Sequence, residues 1–271
     1  MYKMWSSRLR EFGEYVSGRS AGYVKVIVVL CSVLLALAFG LGSTVARAQA
    51  SLSFGVSDVL DTTDLQYTSL QFGPDDRLYA SDLLGRIVAY SIVRDGPNAY
   101  RVESVETIDL VKDIPNHNDD GTLNPSITGR LVTGLLVTGT SSSPVIYVAS
   151  SDPRFGGGSG SDINDTDLDT NSTVLSRLTL TAGGWEKLDL VRGLPRSEEN
   201  HHGNGLVLDP NDPGIIYLSM GGNTNAGATS RNFALLPEFA LSAAILKIDI
   251  GFIGESTYLS LIHISEPTRP Y

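Results

Sequence analysis

Cysteine and positive charge are scarce in this sequence. Its 271 residues include one cysteine, Cys31, so the part after residue 50 offers neither a disulfide framework nor a thiol nucleophile. Lysine and arginine number 20, against 30 aspartates and glutamates. Six basic and two acidic residues precede residue 51 and one of each follows residue 258, which leaves 13 basic and 27 acidic residues between. That net charge of −14 argues against nucleic acid as a partner, because phosphate binding requires a basic face.

The first 50 residues have the pattern of a secretory signal. A polar region with Arg8, Arg10 and Arg19 precedes an apolar run over residues 24–41, and small residues follow up to Ala50. This order predicts export with cleavage after Ala50. An uncleaved membrane anchor is the alternative, because the apolar run approaches the roughly 17–25 residues that span a bilayer. The rest of the chain is therefore expected to be secreted, periplasmic or held at the cell surface.

Short apolar runs bounded by proline, glycine, asparagine and aspartate recur after residue 65. Runs of this kind predict antiparallel strands of an all-β fold. The layout of strand, turn and strand occurs three times, and Tyr79, Tyr147 and Tyr217 mark equivalent places at spacings of 68 and 70 residues. A four-stranded unit recurring at a fixed period indicates a β-propeller with long loops, of which this chain holds about the first three blades. A β-sandwich is the alternative.

The end of the sequence does not look like a further blade. Residues 259–270, LSLIHISEPTRP, resemble the in-frame translation of a transposase adapter used in sequencing libraries, so residues 259–271 are excluded from the fold. His263 is then no ligand. We expect the authentic chain to continue past Tyr258, with residues 51–258 forming a partial propeller. Three blades do not close a ring, and an open array leaves strand edges exposed.

One internal loop is acidic enough to suggest a bound cation. Residues 151–172 contain a glycine run followed by alternating oxygen-bearing side chains, Asp165, Asp167, Asp169 and Asn171. Calcium prefers carboxylate and amide oxygens, which makes these four the candidate metal ligands. The EF-hand pattern fails, because Thr170 and Ser176 stand where its glycine and its bidentate acid belong. A plain solvated acidic loop is the alternative.

The region around two adjacent histidines carries a family resemblance. It contains, in order, Leu194-Pro195, a polar spacer, His201, a glycine, a strand, a proline-containing turn and a strand with Tyr217. This order is similar to the third-blade region of the soluble quinoprotein glucose/sorbosone dehydrogenases. Upstream, residues 70–82 and 85–87 resemble that family's opening blade. The likeness extends to large secreted bacterial proteins in which such a propeller precedes carbohydrate-binding or immunoglobulin-like modules.

The resemblance covers about residues 65–250 and implies a six-bladed β-propeller that oxidises a sugar. In that family pyrroloquinoline quinone (PQQ) lies near the propeller axis and calcium activates it. His201 falls where the family's base removes the hydroxyl proton while hydride passes to the quinone, whereas His202 falls on a position without that role. An imidazole suits the base role, and the cofactor accepts the electrons that no side chain could. A loop histidine satisfied by neighbouring backbone is the alternative for His201.

Two departures from the family pattern leave other functions open. The family has arginine before the strand that follows its histidine, and often an acidic residue after the next strand, where this chain has Gly205 and Gly222. Loss of both charges favours a non-catalytic propeller module of a large secreted carbohydrate-binding or adhesion protein. A calcium-dependent propeller hydrolase is the third candidate, for which the acidic loops are the cue. Most cofactor contacts of the family come from later blades, so this stretch by itself is predicted to be inactive.

Overall fold

The chain divides into two compact units, Met1–Phe54 and Gly55–Tyr271. A computed structural model describes residues 66–118, 121–154, 171–198, 201–230, 233 and 235–260, all of which belong to the second unit. The predicted signal in residues 1–50 and most of the predicted adapter tail, residues 261–271, lie outside the described residues. Within the described part of the chain, no helix has the length and apolar character that a membrane crossing requires.

Three sheets contain nearly all of the described regular structure, and in each of them strands that are consecutive in sequence pair antiparallel. The first sheet consists of β1 (Tyr67–Phe72), β2 (Leu78–Asp82), β3 (Ile87–Gly96) and β4 (Ala99–Ile108). The second consists of β5 (Leu131–Thr140), β6 (Ser143–Ser151), β7 (Thr173–Thr181) and β8 (Gly184–Leu194). The third consists of β9 (Gly203–Leu208), β10 (Ile215–Met220) and β11 (Ile245–Asp249).

Two short elements follow the third sheet. The helical turn α1 (Ile250–Ile253) comes directly after β11, and the two-residue strand β12 (Tyr258–Leu259) then pairs with β8 of the second sheet. This pairing is parallel, with Leu259 opposite Arg192. Leu259, the first residue of the predicted adapter tail, is thus part of a sheet.

The turns between strands contain the residues that the sequence pattern assigns to them. Gly139 has φ 88°, and a Cβ there would lie 2.3 Å from the carbonyl oxygen of Ser143, so the turn after β5 requires glycine. The turn between β9 and β10 is closed by Asp209, whose carboxylate accepts hydrogen bonds from Asn211 N and the Tyr217 hydroxyl, each at 2.9 Å. Side-chain bonds of this kind fix the hairpins locally.

Two apolar cores lie on the two faces of the second sheet. Tyr79 and Ile87 of the first sheet pack with Ile146 of β6 in one core. In the other core, Leu175 of β7 packs with Ile216 and Leu218 of β10 and with their neighbours. All these side chains are buried. Each such side chain contributes about 1.5–3 kcal/mol relative to an exposed one.

The first strands of the three sheets lie side by side. The amide of Gln71 in β1 bonds to both backbone groups of Val137 in β5, with Nε2 donating to the carbonyl at 3.0 Å and Oε1 accepting from the amide at 2.9 Å. Farther along β5, Gly134 lies against β9 so closely that a Cβ would come within 1.9 Å of Asn204 O. Adjacent first strands are what the repeat predicts for successive propeller blades.

The prediction of an all-β fold is confirmed, and Tyr79, Tyr147 and Tyr217 lie on β2, β6 and β10. None of the sheets formed by the described residues closes into a barrel, and six blades stay a prediction. The apolar run of residues 243–250 predicts a strand over its whole length, but β11 covers only Ile245–Asp249. Ala243 has φ 50°, outside the range of extended backbone, and Ile250 already begins α1.

Buried polar side chains collect where β1, β5 and β9 begin. We call this the polar edge; it comprises the described residues of segments 81–86, 109–130, 150–154, 171–173, 195–202, 221–244 and 260. Among the described residues, every buried polar or charged side chain except that of Ser176 lies there. The opposite side, the hairpin edge, comprises the turns 73–77, 97–98, 141–142, 182–183 and 209–214, whose residues are exposed or half-buried.

Candidate functional site

The two adjacent histidines lie at the polar edge, in the loop that leads from β8 into β9. A short backbone bridge shapes this loop: Ser197 N donates to His201 O, and His201 N donates to Glu198 O, both at 3.1 Å. This bridge turns the chain so that the two successive histidine side chains have different surroundings. His201 is half-buried, and His202 is 2 % exposed.

The imidazole of His201 is held by one hydrogen bond and one aromatic contact. Its Nδ1 lies 2.8 Å from the carbonyl oxygen of Gly222, and its ring stacks in a tilted arrangement on Phe233 with 4.4 Å between centroids. A carbonyl oxygen only accepts, so the proton of the neutral ring belongs on Nδ1. The lone pair is then on Nε2, which is the state a general base needs.

His202 is packed between the first strands of the second and third sheets. Its Nε2 lies 3.4 Å from the hydroxyl of Thr133 in β5, and that hydroxyl donates to Gly203 O in β9 at 2.7 Å. A ring buried to this extent between two strands stabilises the packing of the sheets.

A long loop after β10 supplies the other side of the His201 environment. Gly221 N donates to His202 O at 2.9 Å, so this loop lies directly on the histidine pair. Glu238, farther along the same loop, directs its carboxylate back at Asn223 N and Thr224 N, at 2.9 and 3.0 Å. Desolvation of its carboxylate pushes the pKa of Glu238 up, but hydrogen bonds from Asn223, Ser242 and Thr224 outweigh it and hold the pKa below the usual glutamate value.

The positions at which the chain departs from the family pattern differ in their surroundings. Gly222 faces Glu238, and a Cβ there would lie 2.9 Å from Glu238 Oε1, so a side chain would collide with the carboxylate. Gly205 has more room, since a Cβ would meet only Ser219 Oγ at 3.4 Å within the usual contact range. An acidic group is therefore present beside position 222, but it comes from residue 238.

Buried guanidinium groups connect the loops of the polar edge. Arg130 donates to Asn116 Oδ1 at 2.8 Å and to the carbonyls of Ser150 and Ser172. Arg154 is paired with Asp152, with 2.9 Å from Nε to Oδ1 and 2.6 Å from Nη2 to Oδ2. Arg196 donates to Arg154 O. These three arginines are bonded to acceptors of the protein itself.

Of the four predicted calcium ligands, Asn171 belongs to the described residues. Asp165, Asp167 and Asp169 lie outside the described residues, and Asn171 lines a cavity of about 270 Å³ together with His117 and Arg130. A buried guanidinium group opposes a cation at this place. In the described ranges of the chain, no group of three His, Cys, Asp or Glu side chains is arranged to hold a metal ion.

The residues around His201 also do not form a cradle for an anionic quinone. Its described contacts are a backbone carbonyl and a phenyl ring, and the arginines of the polar edge are bonded to protein acceptors. The described residues around His201 therefore contain no cationic site for the cofactor.

Sequence reasoning identified His201 but missed the residues that hold it. Glu238 and Phe233 belong to a loop without periodic pattern, and their contacts with the histidine region depend on the tertiary fold. Arg130 and Asp152 had a weak signal, since each adjoins the end of a β-rich run.

No family model matches the chain, and no curated protein matches it either. Two solved structures share some likeness: the iodide structure and the calcium structure of Trichoderma reesei Carbohydrate-Active Enzymes Family AA12. The first is 14 % identical over 73 % of this chain and 41 % of that chain, with a TM-score of 0.41. The second is 13 % identical over 74 % and 40 %, also with a TM-score of 0.41. The chain thus spans about two fifths of each, and a superposition of this quality establishes no shared function.

Proposed function

We propose that this chain is the first half of a six-bladed β-propeller that oxidises a sugar hydroxyl, with His201 as the base. The observation that carries the proposal is the state of His201. Its Nδ1 is bonded to a backbone carbonyl, which leaves the lone pair on Nε2, and its ring is held against Phe233 at the polar edge. The order of sequence motifs that resembles the quinoprotein dehydrogenases supports the same assignment.

In the proposed step, this chain accepts the proton and a cofactor would accept the hydride. Oxidation of a carbinol to a carbonyl removes a proton from oxygen and a hydride from carbon. His201 Nε2 takes the proton, because it carries the free lone pair of the neutral ring. Pyrroloquinoline quinone, when bound with calcium, would supply the hydride acceptor, as the family resemblance implies. Since the described residues form no site for either group, their ligands belong to other parts of the protein in this proposal.

The proposal includes export and a continuation of the chain. The apolar N-terminal run supports secretion or a periplasmic location, or anchoring to a membrane if the signal is not cleaved. Three sheets with adjacent first strands support the view that further blades follow residue 258. Sugars or polysaccharides are the proposed partners, and additional carbohydrate-binding or immunoglobulin-like domains are proposed for the full-length protein.

A titration of the full-length exported protein tests the enzyme assignment. The wild type is titrated with pyrroloquinoline quinone and calcium while quinone absorbance and aldose-dependent dye reduction are followed. We expect saturable binding and turnover, and we expect His201→Asn to reduce turnover by about 10²–10⁴-fold. His117→Asn, a change of another half-buried histidine at the polar edge, is the control and should leave turnover unchanged.

A second candidate function has its own support. Gly205 and Gly222 lack the charges of the family pattern, which favours a non-catalytic propeller in a secreted carbohydrate-binding protein. In that case the folded protein binds glycans, shows no dye reduction and keeps its glycan affinity in His201→Asn. The hydrolase alternative depends on the acidic loop of residues 151–172, and ester or lactone hydrolysis that chelation abolishes would be its signature.

A further inference from the structure

We propose that Glu238 is a positioning residue for His201: its carboxylate fixes the loop Gly221–Thr224, and through the Gly222 carbonyl it fixes the tautomer of the imidazole. The inference deepens the proposed function and depends on it only for the consequence in catalysis. The structural link between Glu238 and His201 is independent of which reaction the protein performs.

The carboxylate of Glu238 accepts hydrogen bonds from four donors. Oε2 accepts from Asn223 N at 2.9 Å and from the Ser242 hydroxyl, and Oε1 accepts from Thr224 N at 3.0 Å and from the Thr224 hydroxyl. Asn223 is fully buried, so its amide has no access to water as an alternative acceptor. Hydrogen bonds to an ionised carboxylate are stronger than neutral ones. The carboxylate therefore determines the path of the backbone at residues 223 and 224.

That backbone path sets the acceptor that His201 meets. The Gly222 carbonyl, one residue before Asn223, accepts from His201 Nδ1 at 2.8 Å and from Ser197 Oγ at 3.1 Å. A rotation of the peptide after Gly222 would move this oxygen away from the ring. Glu238 opposes that rotation because it holds the N–H of the same peptide, Asn223 N. The two ends of one peptide unit thus join the carboxylate to the imidazole.

Glycine at position 222 is a condition of this arrangement. A Cβ on Gly222 would lie 2.9 Å from Glu238 Oε1 and 3.3 Å from Ala243 Cβ. Any side chain there would displace the carboxylate or the loop segment that carries it. Gly222→Ala is therefore a second way to disturb the same link without altering the charge of the protein.

The test reads the tautomer of His201 directly. Full-length protein is labelled with ¹⁵N at histidine, and long-range ¹H–¹⁵N spectra are recorded at alkaline pH, where imidazole rings are neutral. In the wild type we expect a protonated Nδ1 on His201. In Glu238→Gln, which keeps the shape but replaces one acceptor oxygen by a donor amide, we expect a shift toward protonated Nε2. Gly222→Ala should cause the same shift.

Asp209→Asn is the matched control. Asp209 also accepts from a backbone N–H and a hydroxyl at one end of β10, but it lies at the hairpin edge. We expect its replacement to leave the His201 tautomer unchanged. An unchanged tautomer in folded Glu238→Gln and Gly222→Ala, or an equal shift in Asp209→Asn, would overturn the proposal. Should Glu238→Gln not fold, Glu238→Asp, which keeps the charge on a shorter side chain, replaces it with a partial shift expected.

Measurements of turnover distinguish a wrong role for Glu238 from a wrong enzyme assignment. If His201 is the base, Glu238→Gln lowers kcat on the order of tenfold, a fraction of the contribution of a general base, and leaves KM unchanged. If Glu238→Gln shifts the tautomer of His201 and the wild type shows no turnover, the role of Glu238 is supported and the enzyme assignment is rejected. Turnover with an unchanged tautomer supports the enzyme assignment and rejects the role of Glu238.

Discussion

The polar edge and the hairpin edge of the sheets differ in the side chains that they contain and in how deeply these are buried. At the polar edge, guanidinium, carboxylate and imidazole groups are buried among loops that come from all three sheets. At the hairpin edge, short turns have exposed or half-buried residues and contain local bonds, such as those that Asp209 and Asp212 accept within their turn. Arg154 illustrates the contrast, since it is paired with Asp152 and also donates to Asn118 Oδ1, 36 residues earlier in the chain.

The difference shows where the fold depends on long-range polar contacts. A buried polar group lowers stability unless it is bonded, so the polar edge depends on its hydrogen bonds, and some of these join two loops, as those from Arg154 to Asn118 and from Arg130 to Ser172 do. Turns at the hairpin edge also contain short-range bonds of their own, such as those that Asp209 and Asp212 accept from backbone N–H groups two residues later. Changes at the polar edge should therefore destabilise the whole protein, and similar changes at the hairpin edge should not.

The largest difference in stability between the two edges is expected for replacement of Asp152. It is 0 % exposed and makes two side-chain bonds to Arg154, whose guanidinium group is largely buried. Asp152→Ala leaves this charge without its partner, and we expect a loss of about 3–5 kcal/mol in the free energy of unfolding. Urea unfolding of the exported protein measures it.

Asp212→Ala is the counterpart at the hairpin edge. Asp212 is exposed and accepts from Gly214 N at 2.9 Å within the same turn. We expect a midpoint of unfolding close to that of the wild type. Equal destabilisation by the two aspartate changes would show that the edges do not differ in the way the burial pattern indicates.

The next largest difference in stability is expected at Gly134, where β5 and β9 approach each other closely. A Cβ at this position would lie 1.9 Å from Asn204 O, a backbone atom that cannot move away by a rotamer change. Gly134→Ala should therefore cost about 3 kcal/mol through displacement of β9 from β5. In the turn between β7 and β8, a Cβ on Gly183 would meet only Thr181 Oγ1, at 3.6 Å. Thermal unfolding should separate the two variants clearly.

Thr133 and Thr138 form a matched pair within β5. The Thr133 hydroxyl donates to Gly203 O at 2.7 Å and lies near His202 at the polar edge, whereas Thr138, toward the hairpin edge, makes a longer bond of 3.4 Å to Val145 O. Thr133→Val should cost about 1–2 kcal/mol, because it leaves an acceptor between two strands without its donor. Thr138→Val should stay within about 0.5 kcal/mol of the wild type in the same denaturant series.

The smallest effect concerns pH. The pKa of Glu238 is below its usual value in the folded protein, so its contribution to stability is complete above pH 4.5 and disappears as the pH falls through the folded-state value. Glu238→Gln should therefore make the acid-side loss of stability shallower than in the wild type. Because Glu238 is an exposed residue, screening by solvent keeps this change small. Unfolding midpoints between neutral and acid pH measure it, and identical slopes would contradict the assignment.

Sequence reasoning predicted the strands and hairpins well because their signals are local. The turn residues around Gly139 and Asp209 and the repeated tyrosines define the positions of strands without knowledge of the tertiary fold. The predicted start of the strand over residues 243–250 was wrong, since Ala243 adopts a positive φ that no local pattern indicates.

The candidate site could be predicted only in part for the same reason. His201 belongs to a recognisable order of residues, but the peptide that orients it is held by Glu238, whose contact arises from the folding of a long irregular loop. The hydrogen bond from Arg130 to Ser172 O likewise joins two loops of the polar edge. Such contacts depend on how the loops meet, and short sequence patterns contain no information about that.

The double hydrogen bond between Gln71 and Val137 has a mechanical consequence. A side-chain amide that pairs with both backbone groups of a facing residue connects two sheets that otherwise touch largely through apolar side chains and the hydrogen bond from Trp185 Nε1 to Glu106 Oε1. Apolar surfaces resist separation but slide past each other with little directional preference. The two hydrogen bonds of Gln71 give the first two sheets a defined alignment along the strand direction, so a pulling force applied parallel to β1 and β5 would meet resistance at this residue.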